Sequence, residues 1–290
     1  MNNKPLIPVL AVFGVGLIGG SFSAALRRAG QVGKVLGVGR NRATLEQARA
    51  LGLIDEVVTP AEAAASADML LLSTPVGAMR KLLADMAPHL RDEAIVTDGG
   101  STKQDVIAAA RDGLGERASQ FVPGHPIAGS EQSGPQAARA DLYEQRKVIL
   151  TPLPENSEDD IALVRSAWEA CGACVSQMSA AQHDLVLASV SHLPHLLAFA
   201  YMGQVAGAPD AELRLRTAGG GFRDFSRIAG SSPEMWRDIL LANRDAVLDE
   251  LQAVQAVQQQ IADAMRTDDA ESLLALLTRA AEIRKAWDGR

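Results

Sequence analysis

Three polar clusters in the chain contain side chains that are costly to bury unless they serve a purpose. The first spans residues 98–103, the second spans 124–131, and the third comes in two pieces, 191–195 and 219–229. In the second cluster, Gly-His-Pro-Ile-Ala-Gly-Ser-Glu, the best candidate for acid–base chemistry is His125, because an imidazole can accept a proton near neutral pH. A histidine with a purely structural role explains the same residue about as well.

Two further histidines, His192 and His195, stand three residues apart in a segment predicted to be helical, so they share a face. That spacing could hold a metal ion, but metal-binding helical pairs more often come with carboxylates, and none lies within the motif. Anion binding or hydrogen bonding in the core is favoured, and no metal is expected. His89 and His183 have no comparable neighbours and are predicted to be surface or capping residues.

Arg223 and Arg227 are four residues apart and share a face if their segment is helical. Two guanidinium groups beside a glycine-rich turn indicate a clamp for a carboxylate. Ion pairs with Asp224 and nearby acids are the alternative.

A glycine motif, GVGLIG, follows an apolar run and opens an amphipathic stretch that ends at Gly30. In that context GxGxxG is the dinucleotide-binding fingerprint of a Rossmann-type domain. The first glycine allows the tight turn, the second lets a pyrophosphate approach, and the third lets helix and strand pack closely. The cofactor-binding residues predicted here are Gly14, Gly16, Leu17, Ile18 and Gly19.

The end of the second predicted strand decides which nicotinamide dinucleotide is preferred. A site for NAD carries Asp or Glu there, where the carboxylate bonds to the ribose 2′-hydroxyl. This chain has Gly39 followed by Arg40, and an arginine fork suits a 2′-phosphate, so we expect NADP in preference to NAD. Thr74 and Pro75 follow a later strand and are expected to line the nicotinamide side, although a simple strand-ending turn explains them nearly as well.

Short apolar runs alternate with amphipathic stretches over residues 1–178, which is typical of βαβ units with helices on both faces of a mainly parallel sheet. After Ser179 the strand signals stop. We therefore expect a doubly wound α/β dinucleotide-binding domain of Rossmann type at 1–178 and an all-α substrate and dimerisation domain at 179–290. The predicted strands are Val9–Phe13, Val35–Val38, Met69–Ser73, Ala94–Thr97, Gln120–Val122, Lys147–Leu150 and Cys174–Met178, and the predicted helices are Ala180–Ala206, Ser232–Arg266 and Asp268–Trp287.

The helix predicted over Ser232–Arg266 begins with a strong start signal, Ser-Pro-Glu, and carries a long apolar seam. A seam of this length is rarely covered within a small domain, so it is predicted to pack across a homodimer interface. A helical bundle within one chain is the alternative. No regulatory domain is expected after the helices. The seam consists of Val247, Leu251, Val254, Ile261 and Met265.

The chain has 290 residues, a formal charge of −7 and 47% hydrophobic residues, a balance that excludes wholesale disorder and argues against general nucleic-acid binding. No apolar run reaches the roughly 20 residues that span a bilayer, and no export signal is found, so no membrane association and a cytoplasmic location are expected. Cys171 and Cys174 are predicted to be small buried hydrophobic residues rather than a zinc or redox pair.

Five motifs stand in order between about Val9 and at least Ile239: GxGLIGGS, DxGSxK, GHPIAGSE, SHLPH and GGFRDxxRIAxSxPxMW. Together they resemble the prephenate/arogenate (cyclohexadienyl) dehydrogenases of tyrosine biosynthesis. The resemblance implies a Rossmann domain, a helical dimerisation domain and oxidative decarboxylation of a cyclohexadienol with NAD or NADP. The Gly39-Arg40 pair departs from the family pattern, where an acid is expected, and puts NAD in doubt rather than the fold.

The resemblance also implies roles for individual residues. His125 would take the proton of the substrate's C4 hydroxyl, Ser101 would bond the same hydroxyl, and Arg227 would pair with the ring carboxylate. His195 would hold other polar groups of the substrate. The remaining roles are a gating or supporting ion-pair network with Glu131 and Asp224, and an approach to the site from a partner subunit by Gly220 and Trp236.

Two other classes of function stay open. One is another NADP-dependent dehydrogenase of the β-hydroxyacid dehydrogenase type, but that class uses a lysine on the first long helix of the second domain, and Ala180–Ala206 contains none. The other is a non-catalytic nucleotide-binding dimer, which would need the glycine motif but not His125, Ser101 and Arg227 together. The choice between prephenate and arogenate is not decided by the sequence.

Overall fold

The computed structural model describes residues 4–130 and 132–287, so the predicted substrate-binding residue Glu131 lies outside the described residues. The chain forms two compact units, one up to Asn243 and a second from Arg244 onward. The first unit contains the sheets and the helices through residue 242, and the second contains the last two helices.

A six-stranded parallel sheet forms the centre of the first unit, in the order β3-β2-β1-β4-β5-β6. This is the strand order of a doubly wound dinucleotide-binding fold, whose ligands bind at the carboxyl edge where the order reverses between β1 and β4. Apolar clusters cover both faces of the sheet, which explains the uniformly apolar strands. The expectation of a Rossmann-type domain is confirmed. The strands are β1 (Ile7–Phe13), β2 (Val32–Val38), β3 (Glu56–Val57), β4 (Met69–Leu72), β5 (Ile95–Asp98) and β6 (Phe121–Val122).

A separate three-stranded sheet follows in the chain, with β7 (Gly124–Pro126) antiparallel to β8 (Lys147–Leu150) and β8 parallel to β9 (Cys174–Gln177). The sequence predicted β8 and β9 but missed β3 and β7. Both missed strands are only two or three residues long, too short to show a periodicity. The β7 strand carries His125 and therefore matters for the site.

The helices of the sheet domain pack on both faces of the six-stranded sheet or beside the smaller one. Their ends carry the expected caps in several places; for example, Thr59 and Glu62 form a reciprocal capping box at the start of α3. The helices are α1 (Leu17–Arg28), α2 (Arg42–Ala50), α3 (Pro60–Ser66), α4 (Met79–Met86), α5 (Gln104–Leu114) and α6 (Glu158–Ala170).

From residue 180 the described chain is helical, as predicted. The segment Ala180–Ala206 is continuous but has a π-helical turn at Ala188–His192, just before Pro194. The helix predicted over Ser232–Arg266 is instead two helices separated at Asn243, whose side chain is buried for a reason given below. These helices are α7 (Ala180–Leu187), α8 (Leu193–Ala206), α9 (Ala211–Thr217), α10 (Gly220–Ser226), α11 (Pro233–Ala242), α12 (Arg244–Arg266) and α13 (Ala270–Ala286).

The segment Ala180–Ala206 is long and apolar enough, by length and composition, to cross a membrane; its mean hydropathy over the best window is 1.5 and 28% of that window is buried. The expectation that no apolar segment is long enough to span a bilayer is therefore corrected for this segment. His183, Asp184 and His192 interrupt the apolar character, and all three are buried. Exposed apolar side chains on the same segment, such as Leu185 and Val190, leave a face that another polypeptide can cover.

The predicted apolar seam on α12 is graded in its burial. Val247 is buried and Met265 is 63% exposed. Leu251, Val254 and Ile261 are partly buried.

The two cysteines differ from each other. Cys171 is buried as predicted, whereas Cys174 is exposed on β9, which corrects the expectation for that residue.

Candidate active site

The glycine-rich loop joins β1 to α1 and has the geometry that a dinucleotide needs. Gly14 has a φ of +89°, and a Cβ on it would lie 2.7 Å from the carbonyl oxygen of Ser73, so only glycine fits there. A Cβ on Gly19 would lie 2.6 Å from the carbonyl oxygen of Gly14, whereas the space around Gly16 is open to at least 4 Å. The loop thus packs tightly at its first and third glycines and leaves room at the second, where a pyrophosphate would approach the helix start at Leu17 and Ile18.

The end of β4 is tied to this loop. The Ser73 hydroxyl donates to the carbonyl oxygen of Gly14 at 2.8 Å and to that of Phe13 at 3.1 Å. The next hydroxyl, that of Thr74, is buried without a hydrogen-bond partner among the described residues. A buried hydroxyl without a partner beside the glycine loop is consistent with a ligand group that completes the site. Pro75 follows Thr74 and is exposed.

Arg40 comes directly after Gly39 at the end of β2 and is exposed. The next residue, Asn41, caps α2 by accepting a hydrogen bond from the main-chain N–H of Thr44. Arg40 therefore lies at the strand end where the adenosine ribose of a bound dinucleotide is held in this fold.

A buried ion pair connects the loop after β5 to the strand that carries His125. The Asp98 carboxylate accepts hydrogen bonds from the main-chain N–H groups of Gly100 at 2.7 Å and Gly124 at 3.0 Å. It also pairs with the ammonium group of Lys103, which donates to the carbonyl oxygen of Gly124 at 2.8 Å. Both charged side chains are fully buried, so the pair fixes the loop containing Ser101 against β7.

His125 begins a chain of buried hydrogen bonds. Its Nδ1 lies 2.8 Å from Nε2 of His183, and Nδ1 of His183 lies 2.8 Å from Oδ1 of Asp184. The Asp184 carboxylate also accepts the main-chain N–H groups of Lys103 and Gln104 at the start of α5, each at 2.9 Å. The prediction that His183 is a surface or capping residue is wrong, because its side chain is fully buried against His125; His89, by contrast, is exposed as predicted.

The electrostatics of the site keep His125 neutral. Burial lowers the pKa of His125 well below its usual value, and His183, Lys103 and His192 nearby lower it further. Burial alone would raise the pKa of Asp184, but hydrogen bonds from His183 and from the main chain of Gln104 and Lys103 hold it below its usual value. The site therefore combines an imidazole that is unprotonated at neutral pH with a carboxylate that is ionised there.

Asn243 explains why the long predicted helix is interrupted. Its side-chain amide nitrogen lies 2.7 Å from the carbonyl oxygen of Asp184 and 3.1 Å from Nδ1 of His192, so it donates to both. The side-chain nitrogen of Asn243 faces the Asp184 carbonyl and can only donate, so Nδ1 of His192 must be the acceptor in its hydrogen bond with this nitrogen. Burial lowers the pKa of His192 to about 4, although the Asp184 charge and the main chain of Ser101 act in the opposite direction.

His195 lies one turn beyond His192 and stacks on Trp236, with ring centroids 3.6 Å apart and an angle of 20° between the planes. His192 meets the same indole at 6.1 Å, which confirms that the two histidines share a face. Burial lowers the pKa of His195, and the nearby charge of Arg227 lowers it further, although a hydrogen bond to the Ser191 carbonyl opposes this. The predicted clamp residue Arg227 thus lies near His195.

Trp236 is buried against His195 and His192 of its own chain. The shape and stacking of two aromatic rings explain this placement. The approach of Trp236 to the site of a partner subunit stays a prediction. Gly220 and Asp224 lie on α10 and are both exposed, so the described chain does not bring them into the buried network.

The loops that carry these groups meet at one edge of the sheet. A Cβ on Gly99 would lie 3.1 Å from Ile18 of the glycine loop and 3.7 Å from Pro126, which follows His125. A Cβ on Gly77, in the turn after Pro75, would lie 3.6 Å from the Asp238 carboxylate on α11. The glycine motif, the Ser101 loop, His125 and the helix of Trp236 therefore surround one region.

Sequence reasoning overlooked three residues of this network: His183, Asp184 and Asn243. A signal existed for the first two, because an adjacent histidine and aspartate interrupt an otherwise apolar helical stretch and need partners if buried. Asn243 left a weaker signal as a poor helix former inside a predicted helix of 35 residues. No group of three or more His, Cys, Asp or Glu side chains arranged to hold a metal was found in residues 4–130 and 132–287.

The fold and the site define a Rossmann-type, nucleotide-binding protein with a helical second region. Two family models match the chain: "Prephenate dehydrogenase, nucleotide-binding domain" over residues 22–177 and "Prephenate dehydrogenase, dimerization domain" over residues 179–279. The chain belongs to the prephenate dehydrogenase family.

Individual relatives agree with the family models. The chain is 36% identical over 280 residues to cyclohexadienyl dehydrogenase of Zymomonas mobilis, covering 96% of this chain and 95% of that one. It is similar to the crystal structure of prephenate dehydrogenase from Aquifex aeolicus in complex with hydroxyphenyl propionate and NAD+, with a TM-score of 0.89, 37% identity and coverage of 96% and 97%. Synechocystis arogenate dehydrogenase matches with a TM-score of 0.77, 31% identity and coverage of 96% and 99%.

Proposed function

We propose that this protein catalyses the NAD(P)-dependent oxidative decarboxylation of prephenate, arogenate or both, giving 4-hydroxyphenylpyruvate or tyrosine. The observation that carries the proposal is the buried, neutral His125 beside the dinucleotide edge of the sheet. An unprotonated imidazole in this position can accept a proton from a substrate hydroxyl, which is the acid–base step that the reaction needs.

The chemistry fits a site built around a single base. A nicotinamide cofactor held at the glycine loop would supply the acceptor for the hydride that leaves C4 of the substrate. His125 takes the proton of the C4 hydroxyl, so that the oxygen becomes a carbonyl, and Ser101 hydrogen-bonds to the same oxygen. The bond between C1 and the ring carboxylate then breaks, CO2 leaves, and its electron pair completes the aromatic ring while the C4 carbonyl oxygen becomes a phenolate. That oxygen takes back the proton held by His125, which gives the phenol and restores the neutral imidazole.

Binding of the substrate's anionic groups is assigned to residues near the same edge. Arg227 is proposed to pair with the ring carboxylate, because its charge already acts on His195. His195 is proposed to hold other polar groups of the substrate, and Glu131 and Asp224 are proposed to belong to a gating or supporting ion-pair network. Gly220 and Trp236 are proposed to approach the site from the partner subunit. The two candidate substrates differ in their side chain, which is a keto acid in prephenate and an amino acid in arogenate.

We propose NADP as the preferred cofactor, held by Gly14, Gly16, Leu17, Ile18, Gly19, Arg40, Thr74 and Pro75. The preference rests on Arg40 at the end of β2, where the guanidinium group suits a 2′-phosphate. The Aquifex aeolicus relative was solved with NAD+, so both cofactors belong in the assay.

We infer that the functional unit is a cytoplasmic homodimer formed through the helices after residue 178, where we also place the boundary between the two domains. The family description of that region as a dimerization domain supports this. Exposed apolar residues on its helices support it as well, among them Val190 at 67% and Leu241 at 65%. Light scattering during size exclusion measures the mass directly; a monomer of about 30.6 kDa would contradict the inference.

The activity is tested by following reduced cofactor spectrophotometrically with prephenate and with arogenate, each with NAD+ and NADP+. We expect turnover with at least one of the two substrates and a higher kcat/KM with NADP+. No reduction of either cofactor with either substrate would reject the proposed function. A higher kcat/KM with NAD+ would reject only the cofactor preference.

A further inference from the structure

The chain of hydrogen bonds behind His125 ends on a carboxylate that takes no part in the reaction steps above. His183 is fully buried and Asp184 is nearly so, and the His125 and His183 rings meet edge to face at 5.1 Å. Two buried hydrogen bonds of 2.8 Å connect His125 to Asp184 through His183. Such an arrangement determines which nitrogen of each ring carries a proton.

The carboxylate end of the chain is firmly anchored. Asp184 belongs to α7, yet it accepts two main-chain N–H groups at the start of α5, where the helix dipole also favours a negative charge. An ionised carboxylate only accepts hydrogen bonds. The Nδ1 atom of His183, 2.8 Å from Oδ1, must therefore carry a proton.

The proton on Nδ1 of His183 determines which of the other ring nitrogens donate and which accept. We assign the neutral ring to His183, because a doubly protonated ring would donate from Nε2 to Nδ1 of His125 and would leave the proton of His125 on its Nε2 instead of the lone pair. In a neutral imidazole the other nitrogen, Nε2, is an acceptor. The Nδ1 atom of His125, which faces it at 2.8 Å, must then be the donor, and Nε2 of His125 keeps its lone pair.

We propose that His183 and Asp184 are positioning residues, which hold His125 in the tautomer whose Nε2 can accept the proton of the substrate hydroxyl. The proposal rests on the proposed function for its consequence in catalysis, whereas the tautomer itself is a property of the unliganded protein. A purely structural pair would fill the same space without fixing the proton on one nitrogen of His125.

The tautomer is measured directly by two-bond proton–nitrogen NMR correlation on protein labelled with ¹⁵N-histidine, since the chain has 5 histidines. Resonances are assigned with single His-to-Gln variants. At pH 7 we expect a protonated Nδ1 and an unprotonated Nε2 on both His125 and His183. A proton on Nε2 of His125, or protons on both nitrogens of His183, overturns the proposal.

Kinetics test the consequence. His183→Phe keeps a ring but removes the acceptor, so we expect kcat to fall by about 10- to 10³-fold, part of the roughly 10²- to 10⁴-fold that a general base contributes. KM for the cofactor should change by less than about twofold. His183→Gln offers a carbonyl oxygen to Nδ1–H of His125 and should recover at least about tenfold of that loss. The exposed His89→Gln is the matched control and should match the unmutated protein in every measurement.

Residues that act as one unit are not additive, so His125→Asn combined with His183→Phe should be no slower than His125→Asn alone. Additive losses, or a His183→Gln variant as slow as His183→Phe, would show a merely structural role for His183. If the unmutated protein reduces no cofactor, the proposed function fails, but the NMR measurement still decides the hydrogen-bond chain. The NMR measurement on the unmutated protein does not depend on whether His183→Phe folds.

Discussion

The buried ion pair between Asp98 and Lys103 should be the most sensitive charged contact in the sheet domain. Both side chains are completely buried, and Asp98 also holds the main-chain N–H groups of Gly100 and Gly124. Lys103→Met removes the ammonium group with little loss of volume and leaves the Asp98 carboxylate buried without a counter-ion. Breaking a buried pair in this way costs about 3–5 kcal/mol of unfolding free energy.

Urea unfolding followed by tryptophan fluorescence, to which the buried Trp168 of this region contributes, measures the loss of stability. With a urea dependence of about 3 kcal/mol per molar, the midpoint of Lys103→Met should fall by about 1–2 M. Lys81→Met is the matched control, because Lys81 pairs with Asp85 at 2.7 Å but its side chain is 82% exposed. Exposed pairs contribute little, so this control should unfold almost as the unmutated protein does.

A double-mutant cycle separates the charge from the shape. Asp98→Asn combined with Lys103→Met leaves no uncompensated charge, so its loss of stability should be clearly smaller than the sum of the two single losses. The reasoning is refuted if Lys103→Met lowers the midpoint no more than Lys81→Met does. Strict additivity of the Asp98 and Lys103 variants would equally refute it.

The remaining predictions concern the proposed activity. His125→Asn should lower kcat by about 10²- to 10⁴-fold with little change in cofactor affinity, and a variant near full rate would exclude His125 as the base. Because the pKa of His125 is lowered, kcat/KM should hold as the pH falls through 6.5 and decline only below it; a loss centred at or above 6.5 would contradict this. Arg40→Ala should raise KM for NADP+ and leave KM for NAD+ nearly unchanged, whereas equal effects on both cofactors would remove Arg40 from the 2′-phosphate. Arg227→Ala should mainly raise the substrate KM, since losing one partner of a charged pair costs about 2–5 kcal/mol, and an unchanged KM would remove it from the clamp.

Local patterns in the sequence predicted most of the strands in the two sheets. The alternation of apolar runs and amphipathic stretches predicted the main strands of the parallel sheet because both of its faces are covered. The glycine motif predicted a turn that the structure confirms at Gly14, where φ is positive. The strands β3 and β7 escaped because their lengths of two and three residues carry no period.

The sequence by itself determined the order of most elements, the glycine turn and the identity of His125 as the candidate base. These depend on near neighbours along the chain, through hydrogen bonding, chain stiffness and periodic burial. Only the tertiary structure decided what surrounds His125. It brought His183 against it from 58 residues away, anchored Asp184 on the start of α5 and placed Trp236 on His195 of its own chain. Such contacts depend on how separate helices and strands pack, and local sequence patterns do not specify which of these elements contact one another.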